Sequence, residues 1–498
     1  MTRRRAAGAL ALALAAFPRG ARGAEPPAPR AAPPAAASAP ATSAPAPAGG
    51  TFVFPPLGPV HVYAPAGSPR QVVLFLSGDG GWNRGVVPMA KRLAAEGALV
   101  AGADVRRLLF SLRSAAPCPY PAGTLEDLSR AVQLRAGLPE YRRPILVGYS
   151  SGATLVYAAL AQAPKETFRG AISLGFCSDV ALAAPLCRGR GLASHPRAKG
   201  PGRDLEPLAG LDVPWVVLHG DVDQVCSADA AERFVAQVPA ARVVRLPKVG
   251  HGFAVTPRWE PQYVAAYRRL AEESAVASPS AAAAAGGGPT VDRTVGDLGL
   301  VEVEATAAPP ALGDLFAVIL TGDGGWAEID ESLAERFAAA GVPSLGWSSL
   351  KYYWTPRTPE GAAADLARVI EHGVARFRRG RVLLVGYSFG ADALPFLATR
   401  LPPATRARVA RVGLVGLSPR ASFAFHVAGW LGLDRGGHPT VPEVKRLAPI
   451  PVACVAGADE RDSACAALRG AAEVVVLPGG HHFGGDYARV ARALLPPP

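Results

Sequence analysis

Two serines in this chain sit in the same pentapeptide, Gly-x-Ser-x-Gly. They are Ser150 in Gly148-Tyr149-Ser150-Ser151-Gly152 and Ser388 in Gly386-Tyr387-Ser388-Phe389-Gly390. Each follows an apolar run, 145–147 or 382–385, and precedes an alanine- and leucine-rich stretch. A strand turning sharply into a helix is the setting in which this pattern displays a serine hydroxyl as a nucleophile. The flanking glycines let the backbone make that turn. Acyl transfer by serine then needs a base to take its proton, a carboxylate to orient the base, and N–H donors for the oxyanion. After a turn of this kind, the acid and the histidine follow in that chain order.

Both halves supply such an order. In the first, Asp223 lies just beyond the run that ends at His219, and His251 lies in Val249-Gly250-His251-Gly252-Phe253. Asp221 competes for the role of acid, and His219 reads as a structural histidine at a strand end. In the second half the acid is Asp459 or Asp462 and the base is His481 or His482. Matching Asp223-Gln-Val-Cys226 to Asp462-Ser-Ala-Cys465 favours Asp462. Matching Gly250-His251-Gly252-Phe253 to Gly480-His481-His482-Phe483 favours His481. The expected oxyanion donors are the backbone N–H groups of Ser151 and Phe389, joined by one from Asp79-Gly80 and one from Asp323-Gly324 in the two Gly-Asp-Gly-Gly-Trp loops. No Gly-Lys-Ser/Thr follows those loops, which argues against a nucleotide-phosphate loop.

Two differences separate the halves. Asp392 follows the second elbow where the first has Thr154. A carboxylate there binds a cationic substrate group, supports the loop 322–326, or merely favours the helix N-terminus, at ~0.3–1 kcal/mol. The second half also carries Lys351-Tyr352-Tyr353-Trp354, whose Tyr353 and Trp354 either line a substrate cleft or pack the loop.

These residues need a sheet to hold them. In the first half, β-rich runs at 72–76, 99–103, 145–147, 171–174, 215–218 and 243–246 alternate with helical stretches. Continuous apolar strands between helices predict a mostly parallel sheet covered by helices on both faces, an α/β fold of the α/β-hydrolase type in reduced form. The pattern occurs twice. Leu76-Ser77-Gly78-Asp79-Gly80-Gly81-Trp82 matches Leu320-Thr321-Gly322-Asp323-Gly324-Gly325-Trp326, so the chain is a tandem duplication of a small α/β-hydrolase-like domain. The predicted organisation is a signal peptide at 1–23, an Ala/Pro-rich linker at 24–50, a first domain at 51–271, an Ala/Gly linker at 272–289 and a second domain at 290–498.

The N-terminus has Arg3, Arg4 and Arg5, then an apolar stretch at 6–17, then Ala21-Arg22-Gly23 with small residues where a signal peptidase cuts. That stretch is too short for a membrane span, and no other segment reaches the ~18 apolar residues a span requires. The mature chain is therefore expected to be soluble and exported. Removing the five arginines of the leader lowers the formal charge of +12 to +7. A positive balance favours an anionic membrane surface, though an arginine-rich surface accounts for the same number. No dense basic cluster of the nucleic-acid type occurs. Six cysteines fall as four and two in the halves, and an oxidising compartment permits bridges. Cys454–Cys465 and Cys177–Cys187 are the pairings to test first, with buried free thiols as the alternative. Histidine and cysteine spacing matches no zinc pattern, and neither a metal nor a nucleotide cofactor is implied.

With those motifs in view, the chain resembles the AcvB/VirJ family of bacterial virulence proteins from about residue 51 onward. The resemblance rests on Gly78-Asp79-Gly80-Gly81-Trp82 and 148–155 in the first half. In the second it rests on 321–326, 349–354, 357–360, Gly386 to Asp392 and Gly479-Gly480-His481-His482-Phe483. The two-domain layout is similar to the longer AcvB type. The resemblance implies a periplasmic α/β-hydrolase that hydrolyses lysyl-phosphatidylglycerol, an aminoacylated anionic phospholipid, with a tie to virulence and type IV secretion components. A cationic lysyl group would give Asp392 a partner. The second half is then expected to be the main catalytic domain.

Overall fold

The computed structural model describes residues 49–83, 85–113, 118–272, 295–306, 312–424 and 437–496. The expected leader, nearly all of the first linker and nearly all of the second lie outside the described residues. Residues 45–498 form one unit, which holds both halves and their shared contacts.

The first half is built on strands β1 (Gly50–Phe54), β2 (Gly58–Tyr63), β3 (Gln71–Leu76), β4 (Ala98–Ala103), β5 (Ile145–Tyr149), β6 (Gly170–Leu174), β7 (Trp215–Gly220) and β8 (Ala241–Leu246). They form one sheet in the order β1-β2-β4-β3-β5-β6-β7-β8. β2 runs antiparallel to β1 and β4, and every pair from β4 onward is parallel. In β3 the side chains alternate between two cores, with Val72, Leu74 and Leu76 on one face and Val73 and Phe75 on the other. Both faces are thus covered, as a buried parallel sheet requires. Helices α1 (Pro121–Arg135) and α2 (Ser151–Gln162) pack on one face, and α3 (Glu260–Glu272) packs on the other.

The second half repeats the plan with one strand fewer. β9 (Val301–Val303), β10 (Leu315–Leu320), β11 (Ser344–Trp347), β12 (Arg381–Tyr387), β13 (Val409–Val415), β14 (Val452–Gly457) and β15 (Glu473–Leu477) take the order β9-β11-β10-β12-β13-β14-β15. Within this sheet, among the described residues, only β9, against β11, is antiparallel. Phe316, Val318 and Leu320 face one core while Leu315, Ala317 and Ile319 face the other. Helices α4 (Glu328–Ala339), α5 (Pro359–Phe377), α6 (Phe389–Ala398) and α7 (Tyr487–Leu494) cover the two faces.

Three disulfides join Cys118 to Cys187, Cys177 to Cys226 and Cys454 to Cys465. The Cys177–Cys187 pairing, one of the two to test first, is therefore incorrect, and Cys454–Cys465 is formed. Cys177 and Cys226 leave the same edge of neighbouring parallel strands, β6 and β7, and that places them together across 49 residues. The two halves also touch. The indole N–H of Trp354 donates to the Leu138 carbonyl at 2.8 Å, and its ring lies 5.3 Å from that of Tyr141. Among the described residues no helix is long and apolar enough to cross a membrane.

Candidate active sites

Each candidate nucleophile sits between a strand and a helix in a backbone conformation that only tight surroundings can enforce. Ser150 has φ 53° and ψ −123° between β5 and α2, and Ser388 has φ 52° and ψ −118° between β12 and α6. A positive φ on a non-glycine residue is strained, and such strain gathers at functional sites. The glycines of the motif are required by space. A Cβ on Gly148 would lie 2.2 Å from the Gly152 carbonyl oxygen, and one on Gly390 would lie 2.1 Å from that of Leu320. A backbone hydrogen bond to the next strand fixes each serine: Ser150 N–H to Leu174 at 2.9 Å, and Ser388 N–H to Val415 at 2.8 Å.

In the first half the three expected side chains meet. His251 Nε2 lies 2.9 Å from Ser150 Oγ, and His251 Nδ1 lies 2.8 Å from Asp223 Oδ2. That pattern of contacts puts the Nδ1 proton toward the carboxylate and leaves Nε2 facing the serine. Burial by itself would raise the Asp223 carboxyl. The N–H groups of Cys226 and Val225, with His251, outweigh burial and hold it below its ordinary value. Asp221, the rival acid, instead accepts from the Lys248 N–H at 2.7 Å. His219 is fully buried, with Nε2 2.9 Å from the Cys226 carbonyl, a structural role.

The second half departs from expectation at the acid. His481 Nδ1 lies 2.5 Å from Glu460 Oε1, while Asp459 and Asp462 are both exposed. Glu460, rather than Asp462, is the carboxylate at the histidine. Counting from the strand ends explains why. Asp223 is the third residue after Gly220 at the end of β7, and Glu460 is the third after Gly457 at the end of β14. Aligning on cysteine misled, because Cys226 bridges to Cys177 whereas Cys465 bridges to Cys454. The legible signal was Gly220-Asp221-Val222-Asp223 against Gly457-Ala458-Asp459-Glu460. Burial would lift the Glu460 carboxyl, but His481 and the Gly457 N–H, which donates to Oε2 at 2.7 Å, bring it below its ordinary value. Burial would lower His481, and Glu460 outweighs it, so the imidazole sits above its ordinary pKa. Ser388 and His481 share no hydrogen bond of the Ser150–His251 kind. Catalytic hydrogen bonds of unliganded sites often tighten only when substrate binds.

Ser151 and Phe389 open α2 and α6, where backbone N–H groups lie outside the intrahelical ladder. The Gly-Asp-Gly-Gly-Trp loops run beside the nucleophiles, since a Cβ on Gly78 would lie 3.0 Å from Ser150 Cβ and one on Gly322 would lie 3.5 Å from Ser388 Cβ. Each loop is a turn closed by an N–H from Gly81 to Gly78 at 2.9 Å, or from Gly325 to Gly322 at 3.1 Å. Each tryptophan pins its loop to the neighbouring strand. A Cβ on Gly102 would meet Trp82 at 1.9 Å, and one on Gly346 would meet Trp326 at 2.0 Å. The tips at Asp79-Gly80 and Asp323-Gly324 are thus held beside their serines.

Besides Glu460, sequence reasoning missed a pair of tyrosines. Tyr149 O–H donates to the His251 carbonyl at 2.9 Å, and Tyr387 O–H to that of His481 at 3.3 Å. The tyrosine inside each elbow therefore fastens the histidine loop, and its repetition in both Gly-Tyr-Ser motifs was the available signal. Asp392 accepts from the Ser418 N–H at 2.7 Å, and burial pushes its carboxyl up to about 7 against that bond. Thr154 holds the matching loop by donating to the Cys177 carbonyl at 2.7 Å. Tyr353 is fully buried with its ring 5.0 Å from that of Phe389. Trp354, expected as an alternative wall of the cleft, is instead spent on Leu138 and Tyr141 in the contact between halves.

Strand order and elbows in both halves, with a serine–histidine–carboxylate relay in the first, define an α/β-hydrolase fold present twice. The chain belongs to the family described as bacterial virulence protein (VirJ), whose model matches residues 70–180 and 314–497. No curated protein matches it. Among solved structures it is similar to Est1E from Butyrivibrio proteoclasticus, with 14% identity and a TM-score of 0.31 over 46% of this chain and 99% of that one. It is also similar to a thermophilic esterase from Thermogutta terrifontis, with 16% identity and a TM-score of 0.33 over 47% and 95%. The esterase domain of a Rhodothermus marinus protein aligns with 14% identity and a TM-score of 0.30 over 43% and 92%.

Proposed function

We propose that this protein is an exported, periplasmic serine ester hydrolase of the two-domain AcvB type that releases the aminoacyl group of lysyl-phosphatidylglycerol. The observation that carries the hydrolase reading is the relay Ser150–His251–Asp223, with contacts of 2.9 and 2.8 Å. A binding module has no use for that arrangement. In the reaction, His251 or His481 takes the serine proton as Oγ attacks the ester carbonyl. The carboxylate of Asp223 or Glu460 stabilises the imidazolium that forms. N–H groups of the elbow and the glycine loop meet the developing oxyanion. The protonated histidine then gives its proton to the leaving lipid alcohol, and water, activated by the same histidine, cleaves the acyl-enzyme.

The lysyl preference is assigned to the second half. Asp323, which is paired with Arg130, and Asp392, whose carboxyl is pushed up to about 7, both act on the charge of His481, and these two carboxylates are the groups that would meet a cationic acyl group. Three disulfides suit an oxidising compartment, and a positive net charge suits an anionic lipid surface. The test is release of free lysine from lysyl-phosphatidylglycerol vesicles by the purified protein and its Ser388→Ala and Ser150→Ala variants. Loss in Ser388→Ala supports the reading. Loss in Ser150→Ala with full activity in Ser388→Ala transfers the reaction to the first half. A protein that labels with a serine probe yet releases no lysine is a carboxylesterase of another specificity. The open Ser388–His481 pair favours one alternative, in which the second half is a binding or chaperone-like partner for secretion components. Absence of Ser388 labelling would support it.

A further inference from the structure

We infer that Arg130 of the first half is a positioning residue for the second half's active site, acting through Asp323. This rests on the hydrolase reading of that site. Arg130 lies on α1 with its side chain only 4% exposed. Its guanidinium is held by Glu126 and by Asp127 at 3.3 Å, and Nη1 reaches across the halves to Asp323 Oδ2 at 3.0 Å. Asp323 is the tip of the glycine loop expected to supply an oxyanion donor to Ser388. The next residue is covered as well, since a Cβ on Gly324 would lie 3.6 Å from both Arg130 Nη2 and Glu126 Oε1. Trp326 and the Gly322–Gly325 turn fix the base of this loop from within the second half. The tip is fixed from the first. The matching tip in the first half, Asp79, is exposed and has no ion pair among the described residues. Among the described residues, the ion pair that crosses between the halves braces the loop tip of the second site.

An ion pair between a buried guanidinium and a partly buried carboxylate is screened less than a surface pair, so it can set a loop's position. An oxyanion donor displaced by about an ångström costs on the order of 100-fold in rate. The decisive experiment places Asp323→Asn in a Ser150→Ala parent, so that only Ser388 reports. It measures the rate of Ser388 labelling by a fluorophosphonate, together with kcat and KM for p-nitrophenyl acetate. Asp323→Asn leaves Arg130 paired with Glu126 and Asp127, which protects folding. Labelling and kcat are expected to fall roughly 10- to 100-fold with KM little changed. Arg130→Gln should do the same, Arg130→Lys should retain part of the rate, and the double variant should be no worse than the weaker single one. Undiminished labelling and kcat in Asp323→Asn would overturn the inference alone. Additive losses that track a falling melting temperature would also overturn it. A parent whose Ser388 does not label overturns the hydrolase reading of the second half, and this inference with it.

Discussion

Replacing Glu460 by glutamine should disable the second site almost as thoroughly as losing its base. Glu460 uses both oxygens: Oε1 meets His481 Nδ1 at 2.5 Å and Oε2 accepts from the Gly457 N–H at 2.7 Å. Its side chain is 8% exposed, so water cannot readily substitute. Glutamine has one acceptor oxygen where glutamate has two, so one of those two donors loses its partner or His481 turns to the other tautomer. The stranded hydrogen bond alone costs about 1–3 kcal/mol. Loss of the charge that stabilises the imidazolium in the transition state adds to this. Removing a triad carboxylate charge lowers kcat by roughly 10³- to 10⁴-fold, about 4–5.5 kcal/mol of barrier. The assay is ester hydrolysis in a Ser150→Ala background, with Asp462→Asn beside it. Asp462 is exposed, so its variant should stay within about twofold of the parent. If Asp462→Asn collapses the rate while Glu460→Gln keeps it, the assignment from strand-end counting is wrong.

The pH dependence of that site should follow from His481. Glu460 holds the imidazole above its ordinary pKa, and the base works only when neutral, so the acid limb of kcat/KM should lie above that of a free histidine. Removing the carboxylate should move that limb to lower pH, which a pH–rate profile of Glu460→Gln would show in whatever activity remains. Tyr149→Phe and Tyr387→Phe each remove one hydrogen bond to a histidine carbonyl, worth about 0.5–1.5 kcal/mol. Both should lower kcat by roughly 2- to 12-fold through loosening of the histidine loop, without unfolding. Gly390→Ala would push a Cβ to 2.1 Å from the Leu320 carbonyl and 2.5 Å from that of Thr321, both backbone atoms that cannot step aside. Destabilisation of about 3 kcal/mol or more is expected, visible as a melting temperature lowered by roughly 6 °C or more.

Much of this molecule was readable in one dimension because its signals are local. A parallel strand buried on both faces must be apolar throughout, as β3 and β10 are. A serine at positive φ needs small neighbours, so Gly148, Gly152, Gly386 and Gly390 announce the elbows. Ser150, Asp223 and His251 could be chosen in advance because fold and chain order leave few alternatives. Choices between near neighbours belonged to the tertiary structure. Glu460 stands where Asp462 was expected because position is counted from the end of a strand, and the misleading cysteines bond to different partners. Cys177 meets Cys226 because β6 and β7 are neighbours in space. Trp354 lies against Leu138 and Tyr141, and Arg130 against Asp323, because the two halves dock. Contacts of that kind depend on how two surfaces meet across about 200 residues of chain. A pattern of residue types repeated in each half contains the halves, and their docking is decided only when both are folded.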